Sequence, residues 1–251
     1  MSRKLKYLLQ HWPPNIVASQ RWLNSQGVDR RLADKYVRSG WLRRLGHGAY
    51  VRAGSNVDWP GGLNALQTQL GLNLHPGGIT AFELRGYAHY IALGGRQITL
   101  FGAPGTRLPA WFTGHSWSQP VALVTTRSLG QIDESTSTVT PGGIALAVAT
   151  LELALFEMMY LVPKRQSYEE AMQVMESLIS LRPAVLQRLL ETCTSVKTKR
   201  LVMHAAQRLE MPWKTAVDVS GVDFGSGPRT IHPGGQLDKH YNLVLNTLDQ
   251  L

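Results

Sequence analysis

Arg31, Lys35 and Arg38 stand at i, i+4 and i+7, a spacing that lines one face of a helix with positive charge. Cations so placed do two kinds of chemistry on nucleic acids. They neutralise phosphates and release condensed counterions, and an arginine fork can bond guanine O6 and N7. Arg30 adjoins the three, and Arg43, Arg44, His47 and Arg52 follow, where contacts to backbone or minor groove are expected. A solvated surface face is the plain alternative, and the distribution of charge counts against it. Residues 1–52 carry 11 Lys and Arg against two acids, Asp29 and Asp34, whereas residues 53–251 carry 15 basic and 15 acidic residues. The whole net charge of +9 therefore lies in the first fifth of the 251-residue chain. A local excess of this kind implies a polyanionic partner rather than general solubility.

Other constellations offer less. Gly225-Ser226-Gly227 is similar to the Gly-Ser of nucleotidyltransferases, but only Asp238 and Asp249 follow, not the spaced carboxylates that hold two metal ions. A turn is the better reading. Glu152 and Glu157 interrupt an apolar run; they are either a buried acid pair or, more simply, capping or interface charges. Glu169 and Glu170 open a helix as dipole partners. The eight histidines are scattered singly, and the one cysteine, Cys193, can form neither an internal disulfide nor a zinc site. No phosphate-binding glycine loop, nucleophile elbow or His-Glu-x-x-His occurs. The expectation is a non-enzymatic protein without cofactor or metal. The apolar run Gly143–Val162 has spanning length, but its two glutamates mark a buried core helix, and MSRKLKYLLQHWPP lacks a signal-peptide core. A cytoplasmic protein with no membrane partner is expected.

The elements that must position the cations come next. Lys4–His11 places Leu5, Leu8, Leu9 and Trp12 on one helical face and stops at Pro13-Pro14. Ser19 suits the cap of a helix Gln20–Gln26 closed by Gly27, and Asp29 that of Arg30–Ser39 closed by Gly40. Val28, Leu32, Ala33, Tyr36 and Val37 turn inward, opposite Arg31, Lys35 and Arg38. WLRRLGHGAYVRA then reads as a hairpin turning at Gly46-His47-Gly48. Helix, helix-turn-helix and hairpin make a winged helix-turn-helix, at about residues 4–53, with Arg30–Arg38 as its recognition helix.

Beyond Val57, Trp59-Pro60-Gly61-Gly62 predicts a break before a helix Leu63–Leu72, and Thr80–Tyr87 a second helix. Strands are expected at Arg96–Phe101 and Pro120–Thr126, then the low-complexity tract DESTSTVTPGG and the buried helix. Three amphipathic helices follow at Tyr168–Leu181, Pro183–Thr192 and Val196–Leu209, and strands at VDVSGVDF and YNLVLNTL. The recurrent Pro-Gly-Gly triplets are turns, not repeats. The fold class is α+β: an N-terminal region 1–95 containing the winged helix-turn-helix, and a mixed α/β C-terminal domain 96–251. In the latter, Lys197, Arg200, His204 and Arg208 form a basic stripe, with Lys199 beside it; an ordinary solvated stripe and a surface for an acidic partner or RNA both fit.

GVDRRLADKYVRSGWLRRLGHGAYVRAG resembles the N-terminal winged helix of the AbiEi antitoxins of bacterial abortive-infection type IV toxin–antitoxin systems, a phage-defence response. LRPAVLQRLLETCTSVKTKRLVMHAA, PW, VDFGSGPR and GGQLDKHYNL resemble later stretches of that family in order, so the resemblance spans nearly the whole chain. The family's Pro-Glu-Arg-Ala-type helix start reads ATLELALFEMM here, with neither Pro nor Arg. The resemblance implies a repressor that binds inverted repeats in its own promoter and an antitoxin domain that counters a nucleotidyltransferase toxin attacking tRNA ends. Its DNA-binding set is then Ser19, Arg30, Arg31, Lys35, Arg38, Arg43, Arg44, His47 and Arg52. Lys197, Lys199, Arg200, His204 and Arg208 are the candidate antitoxin surface on the strength of the stripe alone. A tRNA-binding protein that shields the toxin's target is the alternative.

Overall fold

Residues 3–52 fold as their start and stop signals direct. The computed structural model describes residues 3–87, 97–130, 132 and 134–246. It opens with α1 (Arg3–His11), β1 (Ala18–Ser19), α2 (Gln20–Ser25), α3 (Arg30–Arg38), β2 (Leu42–Gly46) and β3 (Ala49–Arg52). The middle holds α4 (Trp59–Thr68), β4 (Leu74–Pro76), α5 (Ile79–Leu84), β5 (Ile98–Gly102), α6 (Ala110–Thr113) and β6 (Val121–Thr125). Then come β7 (Thr136–Val139), β8 (Leu146–Ala149), α7 (Leu151–Leu161), α8 (Tyr168–Met175), α9 (Pro183–Thr192) and α10 (Val196–Arg208). Short strands β9 (Arg229–Thr230), β10 (Gln236–Asp238) and β11 (Leu243–Leu245) finish the described chain. Two compact units result. One gathers residues 1–75, 94–125 and 138–147, and the other 76–93, 126–137 and 148–251.

In the first unit the wing strands pair antiparallel, Leu42 opposite Arg52 and Arg44 opposite Tyr50, and β1 adds to β3 to give a sheet in the order β1-β3-β2. Its core is Leu5, Leu8, Trp12, Ala18, Leu23, Val28, Ala33, Tyr36, Leu42 and Tyr50. Leu5, Leu8, Trp12, Val28, Ala33 and Tyr36 come from the expected helix faces, with Leu9, Leu32 and Val37 partly buried beside them; burial, at about 1.5–3 kcal/mol for each large side chain, holds three short helices that are too short to be stable alone. β5 and β6 pair in parallel beside β4, with α6 on the connection.

The break expected at Trp59-Pro60-Gly61-Gly62 is instead the first turn of α4, capped by Asp58. Proline is tolerated there because its missing N–H would have no helical partner. The glycines serve close approach rather than a turn: a Cβ on Gly61 would lie 1.9 Å from the Asn15 carbonyl oxygen, and one on Gly62 2.8 Å from the Trp117 ring.

The second unit is mainly helical. The run read as one buried helix is β8 followed by α7, because Thr150 caps a new helix from its hydroxyl and the residues before it are extended. The low-complexity tract contributes β7, which pairs with β8. α8 ends at Met175, short of Leu181, while α9 matches its expected bounds. VDVSGVDF forms no strand; β11 instead sits between β9, parallel, and β10, antiparallel. Of the expected strand ends, Arg96 and residues 247–248 lie outside the described residues. No helix among the described residues is long and apolar enough to cross a membrane.

Candidate nucleic-acid interface

The recognition helix is set by its two ends. Gly27 takes a left-handed conformation (φ 71°) after α2, and the buried Val28 donates its N–H to Leu23 O at 2.8 Å, which fixes the turn. Asp29 Oδ1 then accepts from Leu32 N at 2.7 Å and starts α3. Ala33 and Tyr36 point into the core, so Arg30, Arg31, Lys35 and Arg38 are left exposed on the other side.

The wing is fastened to this helix pair. Gln20 N donates to Gly48 O at 2.7 Å, and Arg44 on β2 forms an ion pair with Asp34 on α3 and lies over the Tyr50 ring. The hydrogen bond to Asp34 raises the Arg44 pKa further. Both acids of the basic segment are thereby engaged, Asp29 as a cap and Asp34 by the wing. Among the described residues, none of Arg30, Arg31, Lys35 and Arg38 has a carboxylate partner. Arg43 and His47 are exposed on the wing. His115, just after α6, has a lowered pKa, first from burial and then from the nearby Arg43 charge. Gly46 on β2 meets α6 itself: a Cβ there would come within 2.8 Å of Trp111 Cβ.

Two members of the expected set face inward. Ser19 is buried, its hydroxyl accepting from Trp22 N as the α2 cap and its N–H donating to Gln69 Oε1. Half-buried Arg52 donates from Nη1 to Trp12 O at 2.9 Å and Leu9 O at 3.3 Å, closing the end of α1. Ser19 is thus taken up by the fold, while these bonds engage Arg52 through Nη1 alone. One exposed cation passed over in the sequence is Arg21, in the first turn of α2; its place just after the capping serine was the available signal.

In the second unit the basic stripe is not a surface stripe. Lys199, Arg200 and His204 are 4, 2 and 3 % exposed. Arg200 donates Nε to Phe224 O, Nη1 to Gly227 O and Asn242 O, and Nη2 to Gly225 O, all between 2.7 and 3.0 Å. Gly225-Ser226-Gly227 is thus a turn bound to a buried guanidinium. His204 Nδ1 bonds the Tyr168 hydroxyl at 2.6 Å, and burial lowers its pKa. Lys197 Nζ donates to the Tyr160 and Val162 carbonyls at the end of α7; burial, with a contribution from Lys164, brings its pKa down to about 8. Of the stripe, Lys197 and Arg208 are half-buried, and neighbouring Gln207 is exposed.

The two glutamates of α7 are separate. Glu152 takes a bidentate pair of bonds from the Arg182 guanidinium, 2.9 Å each, and one from the Arg182 N–H. Burial alone would raise its pKa, but these bonds outweigh it and hold the carboxyl below its ordinary value. Glu157 Oε2 accepts from Gly78 N at 3.0 Å and so ties α7 to the residue that precedes α5.

A three-helix core with a fastened wing follows the winged helix-turn-helix plan of DNA-binding proteins, and the cations of α3 lack carboxylate partners among the described residues. Two family profiles extend that reading over the chain. Residues 1–93 match "Transcriptional regulator, AbiEi antitoxin N-terminal domain", and residues 95–246 match "Transcriptional regulator, AbiEi antitoxin, Type IV TA system". The chain belongs to the AbiEi family of antitoxin transcriptional regulators of type IV toxin–antitoxin systems. Its fold is similar to the crystal structure of the RV2827C protein from Mycobacterium tuberculosis, with a TM-score of 0.61 at 15% identity, covering 96% of this chain and 89% of that one. No functionally curated protein matches it.

Proposed function

We propose that the winged helix binds the promoter of its own operon and represses it. In this reading residues 1–95 carry DNA binding, and residues 96–251 act as antitoxin against a cognate nucleotidyltransferase toxin. The observation that carries the DNA reading is the consumption of both local acids by structural roles, Asp29 by the α3 cap and Asp34 by Arg44. Arg30, Arg31, Lys35 and Arg38 then offer their charge to phosphates and base edges, with Arg43, Arg44 and His47 as backbone contacts from the wing. Family membership supports the antitoxin half.

The test is direct competition for the full-length protein between a duplex from upstream of its own gene and tRNA, joined to a reporter driven by the same promoter. Tighter binding to the duplex and reporter repression are expected. Preference for tRNA, or an unrepressed reporter, would overturn autorepression.

A further inference from the structure

The second unit contains a cleft of about 460 Å³ that no part of the DNA reading uses. It is lined by Arg200, Met203, Lys214, Thr215, Val217, Val219, Phe224, Gly225, His240, Tyr241 and Asn242. Three features of this lining point to one kind of ligand. The ionisable side chains of a basic kind are three, Arg200, Lys214 and His240, and no Asp or Glu lines the cleft. Arg200, 2 % exposed, spends four of its five N–H bonds on main-chain carbonyls, and among the described residues it has no carboxylate within ion-pair distance. Its buried charge is solvated by these dipoles, with Asp223 acting on it at longer range and Arg229 opposing it, and an anion seated in the cleft would gain from it more than at an open surface. The opposite character is present too: the Phe224 and Tyr241 rings and the Val217, Val219 and Met203 side chains supply an apolar lining, and Val219 is left 41% exposed. Thr215 and Asn242 add a hydroxyl and an amide that can bond a polar edge.

We propose that this cleft binds a small organic anion carrying a flat ring, of the nucleoside monophosphate class. Its phosphate is placed toward Arg200, Lys214 and His240, and its ring against Phe224 and Tyr241. The volume falls within the range of small-ligand pockets, and the mixture of apolar lining with a few convergent polar groups is what such sites share. Such a group arrives either as a free nucleotide or as the terminal nucleotide of a single-stranded RNA, and the same contacts would hold both. All of its lining belongs to the second unit, so the proposal does not rest on promoter binding.

The experiment is calorimetric titration of the full chain with adenosine 5′-monophosphate, inorganic phosphate, adenosine and a short single-stranded oligoribonucleotide. Lys214→Glu is the main variant, because Lys214 is only partly buried and the reversal introduces the charge the cleft lacks. Val219→Trp is the second; it fills the mouth from an exposed position without touching the Arg200 bonds. Expected are saturable binding of the monophosphate, weakened about tenfold or more by Lys214→Glu, and loss of binding in Val219→Trp. An oligonucleotide affinity above that for the monophosphate, and weakened by Lys214→Glu to the same extent, would assign the terminal nucleotide as the source, and the reverse order the free one. No saturable binding at millimolar ligand, equal binding of inorganic phosphate or of adenosine, or binding that both variants leave unchanged would overturn the proposal.

Discussion

Arg31→Ala and Arg38→Ala test the recognition helix most sharply, because the two roles available to an arginine leave different signatures. Arg30, Arg31, Lys35 and Arg38 are exposed and without carboxylate partners among the described residues, so all four charges are available to DNA. Each phosphate neutralised contributes about 0.9 to the slope of log affinity against log salt, so four contribute about 3.6 per protomer. Raising salt from about 50 to about 200 mM then weakens binding by about 150-fold through this helix alone. A variant that loses one phosphate contact lowers the slope by about 0.9 and weakens binding about equally on all sequences. A variant that loses a base contact keeps more of the slope but gives up about 1–3 kcal/mol on the operator, and its discrimination relaxes at one base pair. Fluorescence anisotropy on the upstream duplex and on a scrambled duplex, at several salt concentrations, separates the cases. Circular dichroism should show both variants folded, because neither side chain packs in the core. Unchanged affinity with unchanged slope in both variants would remove α3 from the interface.

Two further perturbations probe the second unit. Arg182→Ala strips the buried Glu152 carboxylate of its bidentate partner and leaves it main-chain N–H donors; because Arg182 is 52% exposed, the cost is discounted to about 2 kcal/mol, a fall in Tm of about 4–8 °C by thermal melt. Since Glu152 has a lowered folded pKa, its contribution is complete above the unfolded carboxylate pKa and fades as pH falls through the folded value. A variant within about 1 °C of wild type across that range would contradict it. Lys197 has its folded pKa brought down to about 8, below an unfolded value of about 10.4, so between these the unfolded chain binds the extra proton and stability rises with pH. The wild-type Tm should therefore gain on that of Lys197→Met as pH climbs through this window, and a constant difference would refute the assignment.

The winged helix was legible because its signals are local. Ser19, Gly27, Asp29 and Gly40 each act within a few residues of where they stand, and the apolar spacing of α1 to α3 is read by one shared core. Elsewhere the same residue types answered to distant neighbours. Gly61 is small because the Asn15 carbonyl presses against it, not because the chain turns there, and nothing within residues 59–62 reveals that. Gly143–Val162 is apolar almost throughout, so periodicity could not separate the short buried strand β8 from the helix that Thr150 caps.

Candidate site residues divide by the same criterion. Arg31, Lys35 and Arg38 and the stripe Lys197, Arg200, His204 and Arg208 have equivalent helical spacing, and spacing identifies a face without saying what covers it. On α10 the cover comes from residues 224–227 and 242, later in the chain, whose carbonyls surround Arg200 and turn a presumed surface charge into an internal support. On α3 nothing among the described residues supplies acceptors to the four cations, and the only two acids near them in sequence are engaged elsewhere. A basic residue is therefore best assigned by asking what already bonds it. By that measure Arg52 and Arg200 hold the fold, Arg44 does so while remaining half-exposed at the wing, and Arg30, Arg31, Lys35 and Arg38, which no carboxylate engages among the described residues, are the charges the proposed DNA contact would use.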